Sequence, residues 1–440
     1  MLATLFIAAA PAFLTRLEAD VPIHDPMSSS WRNVGPAAEE YVTLNVMLRL
    51  ETAATAGLQH ALYAVSDPQS PEYGQHFTKA QIRDVLAVPQ AQVDRVQAYF
   101  MRHGALETTM SPFNDIIRVR ASATRFESAL STTLSRFIHV AQPDVSIVRA
   151  SAPYALPDSI AADVALVGEL LQFPALRASA QTDRLQTDHL RVIPGNWSND
   201  CNGTKVGLKQ CIGLTTPAVL AQRYRVPYKE STPGEGRSSM AVAEFVHQYF
   251  RKEDNAAFST ACGVNVSVVH VHGAGDHPGR VGVEAQLDIE YIAAMAQGVQ
   301  LSVIYADSYS LLGWANNVTS MDEPPLVHSV SYGNDERQQS GGAYMDAVNT
   351  AFAKAGTMGL SILFASGDQG VCGREGCGRW YREKRFKVRA GAARTALEPA
   401  LPVPSGSSRW SMRTRRALCD LRCLCLALLC VPGRLAQLSA

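Results

Sequence analysis

The sequence predicts an α/β protein in which a small α+β body precedes a body built on a parallel sheet. Short strand-like stretches are mixed with helices over residues 40–170, which indicates an α+β domain. From residue 239, near-continuous apolar strands alternate regularly with helices, which is typical of a parallel sheet covered on both faces. With 440 residues and 47% hydrophobic content, the chain is long enough for two or three cores.

The first body contains both strand and helix patterns. Residues 41–48 alternate apolar and polar side chains as a strand does, and residues 116–120 form a second strand. Thr78 is predicted to cap a helix, and further helices are expected over residues 90–103 and from about 125 to 136.

Two segments beside this body are not expected to join its core. Residues 1–20 are predicted to be a signal peptide, because residues 1–13 form an apolar stretch followed by small residues. Residues 177–203 lose all hydrophobic period and include Pro194 and Gly195. We expect this segment to be an exposed linker that a protease can cut.

The second body is predicted from hydrophobic patterns that alternate between the spacing of a strand and the spacing of a helix. Strands are expected over residues 239–246, 264–272, 299–306, 326–331 and 360–365, with helices over 252–262, 282–297 and 342–358. Ligands of such sheets bind beyond the carboxyl ends of the strands, and Asp368 lies just past one such end. The Gly-rich run 370–378 lacks the Gly-Lys-[Ser/Thr] of a phosphate loop, which argues against a nucleotide-binding protein.

The helix over residues 282–297 carries two carboxylates on its apolar side. At about 100° per residue, Glu284 and Asp288 lie within about 40° of each other. The same face continues with Tyr291, Ile292 and Met295. A separate polar face, predicted to meet solvent, consists of Gln286, Glu290 and Gln297.

A Glu–Asp pair one turn apart is more often a solvated acidic face. Here a second polar face already exists, and the helix has no Lys or Arg to neutralise the pair. Like charges at this spacing cost a helix a few tenths of a kcal/mol. Two desolvated carboxylates tend to share a proton, which makes one of them usable as a general base in acid. Asp368 lies in Ser-Gly-Asp-Gln-Gly, which is also an adequate turn by itself.

Other sequence patterns concern the cellular compartment of the protein and the binding of metal ions. Four N-glycosylation sequons favour a secretory route, ending in a lysosome or vacuole or outside the cell; they begin at Asn196, Asn202, Asn265 and Asn317. Cys201 and Cys211 could bridge there. The nine cysteines show no zinc-type spacing, and no HExxH occurs. The histidines expected to be surface or packed residues rather than ligands are His247, His270, His272, His277 and His328.

The C-terminal residues 379–440 differ from the rest in charge. They hold 11 Arg, 2 Lys, 2 Glu and 1 Asp, a net charge of +10, which leaves −10 for the remainder. We interpret them as a foreign, disordered basic tail; the alternative is a basic arm for nucleic acid or a membrane. The apolar run 423–431 is too short for a transmembrane helix, and neither nucleic acid as a partner nor a transmembrane helix is expected.

Several motifs together resemble the sedolisin, or serine-carboxyl peptidase, family over residues 40–373. They are Ser70-Pro-Glu-Tyr-Gly74, Thr215-Thr-Pro-Ala-Val-Leu-Ala-Gln-Arg-Tyr224, Ala243-Glu-Phe-Val-His-Gln-Tyr-Phe250, Glu284-Ala-Gln-Leu-Asp288, His328-Ser-Val-Ser-Tyr-Gly333 and Leu363-Phe-Ala-Ser-Gly-Asp368. The resemblance implies a ferredoxin-like activation propeptide over 21–176 and a subtilisin-like peptidase domain, of which 204–378 would be the N-terminal part.

The resemblance also implies the roles of the carboxylates. Glu284 resembles the family's general base, Asp288 the residue that orients it, and Asp368 the protonated donor to the oxyanion. The expected activity is an acid-acting tripeptidyl-peptidase or endopeptidase, with a peptide or protein substrate and the chain's own propeptide as partners.

Two features of the family are absent from this sequence. The nucleophile is the serine of a Gly-Thr-Ser motif, and no Gly-Thr-Ser occurs here. The family's Ca²⁺ ligands lie near its C-terminus and are missing too, so no metal ligand is assigned. We therefore expect a truncated and inactive peptidase chain. The alternative is a non-catalytic relative that binds peptides or acts as an inhibitor.

Overall fold

The computed structural model describes residues 13–21, 30–174, 215–226, 238–246, 248–273, 281–306, 309–333 and 341–366. Its contacts divide the chain into two compact units. The first comprises Met1–Ala175, Ser310–Met321 and Gln338–Met358. The second comprises Leu176–Tyr309, Asp322–Arg337 and Gly359–Ala440.

The described elements are labelled in chain order. The strands are β1 (Leu14–Arg16), β2 (Trp31–Pro36), β3 (Tyr41–Leu48), β4 (Glu107–Met110), β5 (Ile116–Ser122), β6 (Leu134–His139), β7 (Ser146–Ala150), β8 (Ala155–Pro157), β9 (Val164–Gly168), β10 (Ser239–Phe245), β11 (His270–His272), β12 (Gln300–Ala306), β13 (Val327–Val330) and β14 (Ser361–Phe364). The helices are α1 (Thr52–Ser66), α2 (Lys79–Leu86), α3 (Gln90–Arg102), α4 (Ala123–Leu130), α5 (Asp158–Ala161), α6 (Pro217–Tyr224), α7 (Lys252–Cys262), α8 (Val283–Met295), α9 (Leu311–Ser320) and α10 (Gly342–Thr357).

The first unit is organised around a four-stranded antiparallel sheet of order β4-β5-β3-β9. Numbered along the chain, these strands have the order 2-3-1-4, with helices after the first and third strands. This is the β-α-β-β-α-β pattern of a ferredoxin-like fold, which confirms the predicted class. Two smaller antiparallel sheets, β2-β6-β7 and β1-β8, complete the unit. The expectation that residues 1–20 stay outside the core is wrong for the end of that segment, because β1 pairs with β8 and Leu17 and Glu18 are buried in this unit.

The alternation of side chains explains the core of this unit. In β3, Leu44, Val46 and Leu48 are buried and belong to the same cluster as Phe100 and Phe126. The predicted helix start at Thr78 is confirmed as a capping box: the Thr78 hydroxyl accepts from the Gln81 N–H, and the Gln81 side chain accepts from the Thr78 N–H.

The helix predicted to run to about residue 136 ends earlier. Ser131 adopts a left-handed backbone (φ 48°), which closes α4 after Leu130. Residues 134–136 then belong to β6, which pairs with β2 and β7. The apolar residues there are buried in a sheet rather than on a helix face, and spacing alone does not separate the two over so short a run.

The second unit contains a five-stranded, all-parallel sheet of order β11-β12-β10-β13-β14. This confirms the predicted parallel sheet. β10 lies at its centre, and six of its seven residues are buried. Met240 and Val242 of β10 share a cluster with Leu301 and Val303 of β12 and with Ile289 of α8.

The strand predicted over 264–272 is much shorter in the structure, where only His270–His272 pair as β11. In the residues before β11, side chains accept the backbone hydrogen bonds. The Asn265 N–H donates to Gln297 Oε1 (2.9 Å), and the Val266 N–H donates to Ser259 Oγ (3.0 Å). These bonds replace a sheet partner, while Val266 still reaches the core.

Candidate active site

The helix that carries the two predicted carboxylates starts at a fixed point. Gly282 is its N-cap, and its N–H donates to the Tyr249 carbonyl (2.8 Å), just after β10. A Cβ on Gly282 would lie 2.7 Å from the Gln248 Cα, so no larger residue fits without moving the backbone. The start of α8 is therefore tied to the carboxyl end of the central strand.

The buried stripe of α8 fixes its rotation. Ala285, Ile289 and Ala293 enter the core cluster beside β10 and β12. Glu284, in the first turn, and Asp288, one turn later, lie to one side of this stripe and are half-buried. A helix N-terminus favours negative charge, which helps α8 carry a carboxylate at Glu284.

The predicted solvent face of α8 is wrong, because it meets α7. Gln286 Oε1 accepts from the Arg251 N–H (3.0 Å), and its Nε2 donates to Asn255 Oδ1 (2.5 Å) and Glu290 Oε1 (2.8 Å). Glu290 is half-buried, and desolvation raises its pKa to about 7. The polar side of the helix is an interhelical hydrogen-bond network rather than a solvated surface.

A buried carboxylate and a tyrosine border the Glu284–Asp288 pair. Glu244 of β10 is fully buried, and its Oε2 accepts from the Tyr332 hydroxyl (2.8 Å), just after β13. Desolvation, then Glu244, and then the charges of Glu284 and Asp288 raise the pKa of Tyr332 well above its ordinary value. Desolvation and the charges of all three carboxylates therefore keep Tyr332 protonated, and its neutral hydroxyl acts as a hydrogen-bond donor.

Sequence reasoning missed Glu244 and Tyr332. A signal was present, since Glu244 is the one charged residue in the strand Ser-Met-Ala-Val-Ala-Glu-Phe, which is otherwise apolar after its first residue. A buried carboxylate in a central strand needs a hydrogen-bond partner. Aromatic packing holds that partner, since the Tyr332 ring lies 4.9 Å from the Phe245 ring.

Several other predicted residues lie outside the described part of the chain. They are Asp368, Asn196, Asn202, His247 and His277. Asn265 and Asn317 are exposed, as an N-linked glycan requires, and their glycosylation remains a prediction.

The described histidines fit the surface-or-packed expectation. His270 and His272 are exposed on the edge strand β11. His328 is buried in β13 with Nε2 2.7 Å from the Pro325 carbonyl, and burial lowers its pKa to about 4.

Within the described ranges, no group of three or more His, Cys, Asp or Glu could hold a metal ion. The Ca²⁺ implied by the family resemblance therefore finds no ligand set among these residues. In the same ranges, no helix has both the length and the apolar character to cross a membrane.

Comparisons with known proteins agree with these features. The family model "Pro-kumamolisin, activation domain" matches residues 29–173. Tripeptidyl-peptidase 1 of Canis lupus familiaris is 31% identical over 372 residues, which are 82% of this chain and 61% of that protein. The Homo sapiens protein is 31% identical over 353 residues, 78% of this chain and 58% of that protein.

A more distant likeness is to a solved Pseudomonas sedolisin, a serine-carboxyl proteinase in complex with two molecules of pseudo-iodotyrostatin. It is 21% identical and covers 41% of this chain and 47% of that chain, with a TM-score of 0.29.

The family match defines the class to which the chain is similar, that of proteins with a pro-kumamolisin activation domain. Within that class it is similar to tripeptidyl-peptidase 1. The chain spans about three fifths of the length of these relatives, 61% of the dog protein and 58% of the human one.

Proposed function

We propose that this chain descends from an acid-acting tripeptidyl-peptidase or endopeptidase that passes through the secretory pathway to a lysosome, a vacuole or the cell exterior. The observation that carries the proposal is the carboxylate pair on α8. Glu284 and Asp288 lie one turn apart, half-buried, and both act on a tyrosine that is bound to the buried Glu244. Carboxylates gathered near one desolvated hydroxyl oppose one another's ionisation, which favours a proton shared between them in acid.

In the proposed mechanism, Glu284 takes the proton of a serine hydroxyl as its oxygen attacks the peptide carbonyl carbon. Asp288 orients Glu284 and shares the transferred proton. Asp368, in its protonated form, donates a hydrogen bond to the oxyanion of the tetrahedral intermediate. The proton then passes to the leaving amine, and water repeats the sequence on the acyl-enzyme.

The attack step needs the serine, and no Gly-Thr-Ser occurs in the 440 residues. We therefore propose that the chain, with this sequence, does not turn over peptides. Assays at acid pH with a tripeptide-releasing substrate should show no activity that depends on Glu284.

A second assay tests the roles of the carboxylates. The chain is extended with the C-terminal part of tripeptidyl-peptidase 1, which supplies the serine segment. Acid-dependent turnover should appear and should be lost in Glu284→Gln and Asp288→Asn. Glu290→Gln is the matched control, since Glu290 lies on the same helix but faces α7. An extended chain whose turnover is unchanged by both substitutions would contradict the assignment.

A further inference from the structure

The activation domain packs against two helices that lie outside its own range. Residues 29–173 form the activation domain, yet α9 and α10, from more than 130 residues later, belong to the same compact unit. The two helices therefore form a surface against which this domain packs.

The central contact is an ion pair with almost no access to water. Lys354 Nζ of α10 lies 2.7 Å from Asp115 Oδ2, and their side chains are 1% and 2% exposed. The Ser111 hydroxyl donates to the other carboxylate oxygen of Asp115 (2.7 Å). The Lys354 ammonium also lies 4.7 Å from the centre of the Phe113 ring. Removing either charge would leave the other desolvated and uncompensated.

Apolar packing surrounds the pair. Ala353 and Met358 contact the cluster formed by Leu58, Ile82, Leu86 and Phe113 of the activation domain. The two parts approach closely at Gly356, where an added Cβ would lie 2.5 Å from Leu62 Cδ1 of α1. Beside it, the Phe77 N–H donates to the Thr357 carbonyl (2.9 Å). The end of α10 therefore packs closely on the activation domain, and a side chain at position 356 would require Leu62 to shift.

The activation domain also holds both ends of α9. At the N-terminus, Glu169 accepts a hydrogen bond from Ser310, the residue whose hydroxyl caps the helix. At the C-terminus, Lys79 Nζ donates to the carbonyls of Ser320 (2.9 Å) and Met321 (2.5 Å). A cation at the C-terminal carbonyls of a helix is favourable, and a hydroxyl cap satisfies its first N–H groups.

We propose that the Asp115–Lys354 pair decides whether the activation domain stays bound to α9 and α10 after the chain is cut between them. The partner is thus residues 29–173 of the same chain, as a separate fragment. A buried ion pair selects a matching surface, because a partner without the opposite charge leaves an unpaired ion in the interface. The inference does not depend on peptidase activity, so it can fail or hold independently of the proposed function.

The test uses the full chain with a site-specific protease sequence placed within residues 177–203 and cut to completion. Size-exclusion chromatography over a dilution series measures whether the two fragments remain together. The wild-type fragments should co-elute. Asp115→Leu and Lys354→Met should each weaken the complex by roughly a hundredfold or more. The double variant, which replaces the pair by two apolar side chains, should restore much of the binding.

Two further variants keep the proposal falsifiable if a single charge removal prevents folding. Gly356→Leu should separate the fragments by forcing α1 away from α10. Glu40→Gln is the control, since it breaks the part-exposed Arg136–Glu40 pair within the activation domain and should leave co-elution unchanged. Co-elution of the Gly356→Leu and Lys354→Met fragments at wild-type concentrations would overturn the proposal, as would a double variant that dissociates as readily as the single ones.

Discussion

Glu18 gives a prediction whose size follows from its surroundings. It is buried, and its carboxylate accepts hydrogen bonds from the Tyr154 hydroxyl (2.5 Å) and the Gln172 amide (2.7 Å). Desolvation outweighs these two bonds and raises the pKa of Glu18 from 4.5 to about 7, with smaller contributions from Asp20 and Glu169. The folded chain therefore holds a proton that the unfolded chain has already released at mildly acidic pH.

The sign and magnitude of the effect follow from this difference. Below pH 4.5 Glu18 is protonated in both the folded and the unfolded state, and the folded state loses no stability through its ionisation. Between pH 4.5 and 7 only the folded state keeps the proton, so the free energy of unfolding falls by about 1.4 kcal/mol per pH unit. The loss is about 3 kcal/mol by pH 7, where the folded carboxyl itself ionises, and it grows no further above that pH.

Urea unfolding at pH 4.5, 5.5, 6.5 and 7.5, followed by tryptophan fluorescence, measures this loss. In Glu18→Gln the side chain cannot titrate, so the wild-type free energy of unfolding should decline relative to this variant by about 3 kcal/mol over the range. Glu40→Gln, which alters a part-exposed ion pair, should not show this relative decline. A difference between wild type and Glu18→Gln that stays constant, or that rises with pH, would refute the reasoning.

Three further outcomes are expected. Burial raises the pKa of Glu290 to about 7, so Glu290→Gln should also remove part of the decline of the free energy of unfolding between pH 4.5 and 7. Urea unfolding measures this decline, and a pH profile equal to that of the wild type would contradict the raised pKa. Ile289→Ala, at a fully buried position, should lower the free energy of unfolding by about 2–5 kcal/mol, and a loss under 1 kcal/mol would mean that the cavity collapses. Limited proteolysis with mass spectrometry should find the first cuts within residues 177–200, and first cuts confined to α7 or α8 would count against an exposed linker.

Much of the fold could be predicted because its signals are local. The alternation in β3 and the capping box at Thr78 are each set by a few neighbouring residues. The strand over 264–269 failed because its backbone bonds go to Ser259 and Gln297, which no apolar pattern reports. The end of α4 was missed because it depends on one left-handed residue, Ser131.

Only the part of the candidate site that lies on the single helix α8 could be predicted from the sequence. Spacing alone brings Glu284 and Asp288 to one side of α8. The other side was misjudged, because whether Glu290 meets solvent depends on α7, which only the tertiary structure supplies. Glu244 and Tyr332 lie 88 residues apart in the chain, and their hydrogen bond follows from the sheet order that makes β10 and β13 neighbours.

The division of the chain into its two units has a consequence for biosynthesis. Six segments alternate between the units, so the polypeptide passes from one to the other five times. When the ribosome has made the first 175 residues, the ferredoxin-like sheet is complete, but Asp115 still lacks the lysine that neutralises it. That lysine follows 239 residues later. Until most of the second unit has emerged, the nascent N-terminal part therefore exposes the apolar surface that Ala353 and Met358 cover in the folded chain, so these contacts form late in folding.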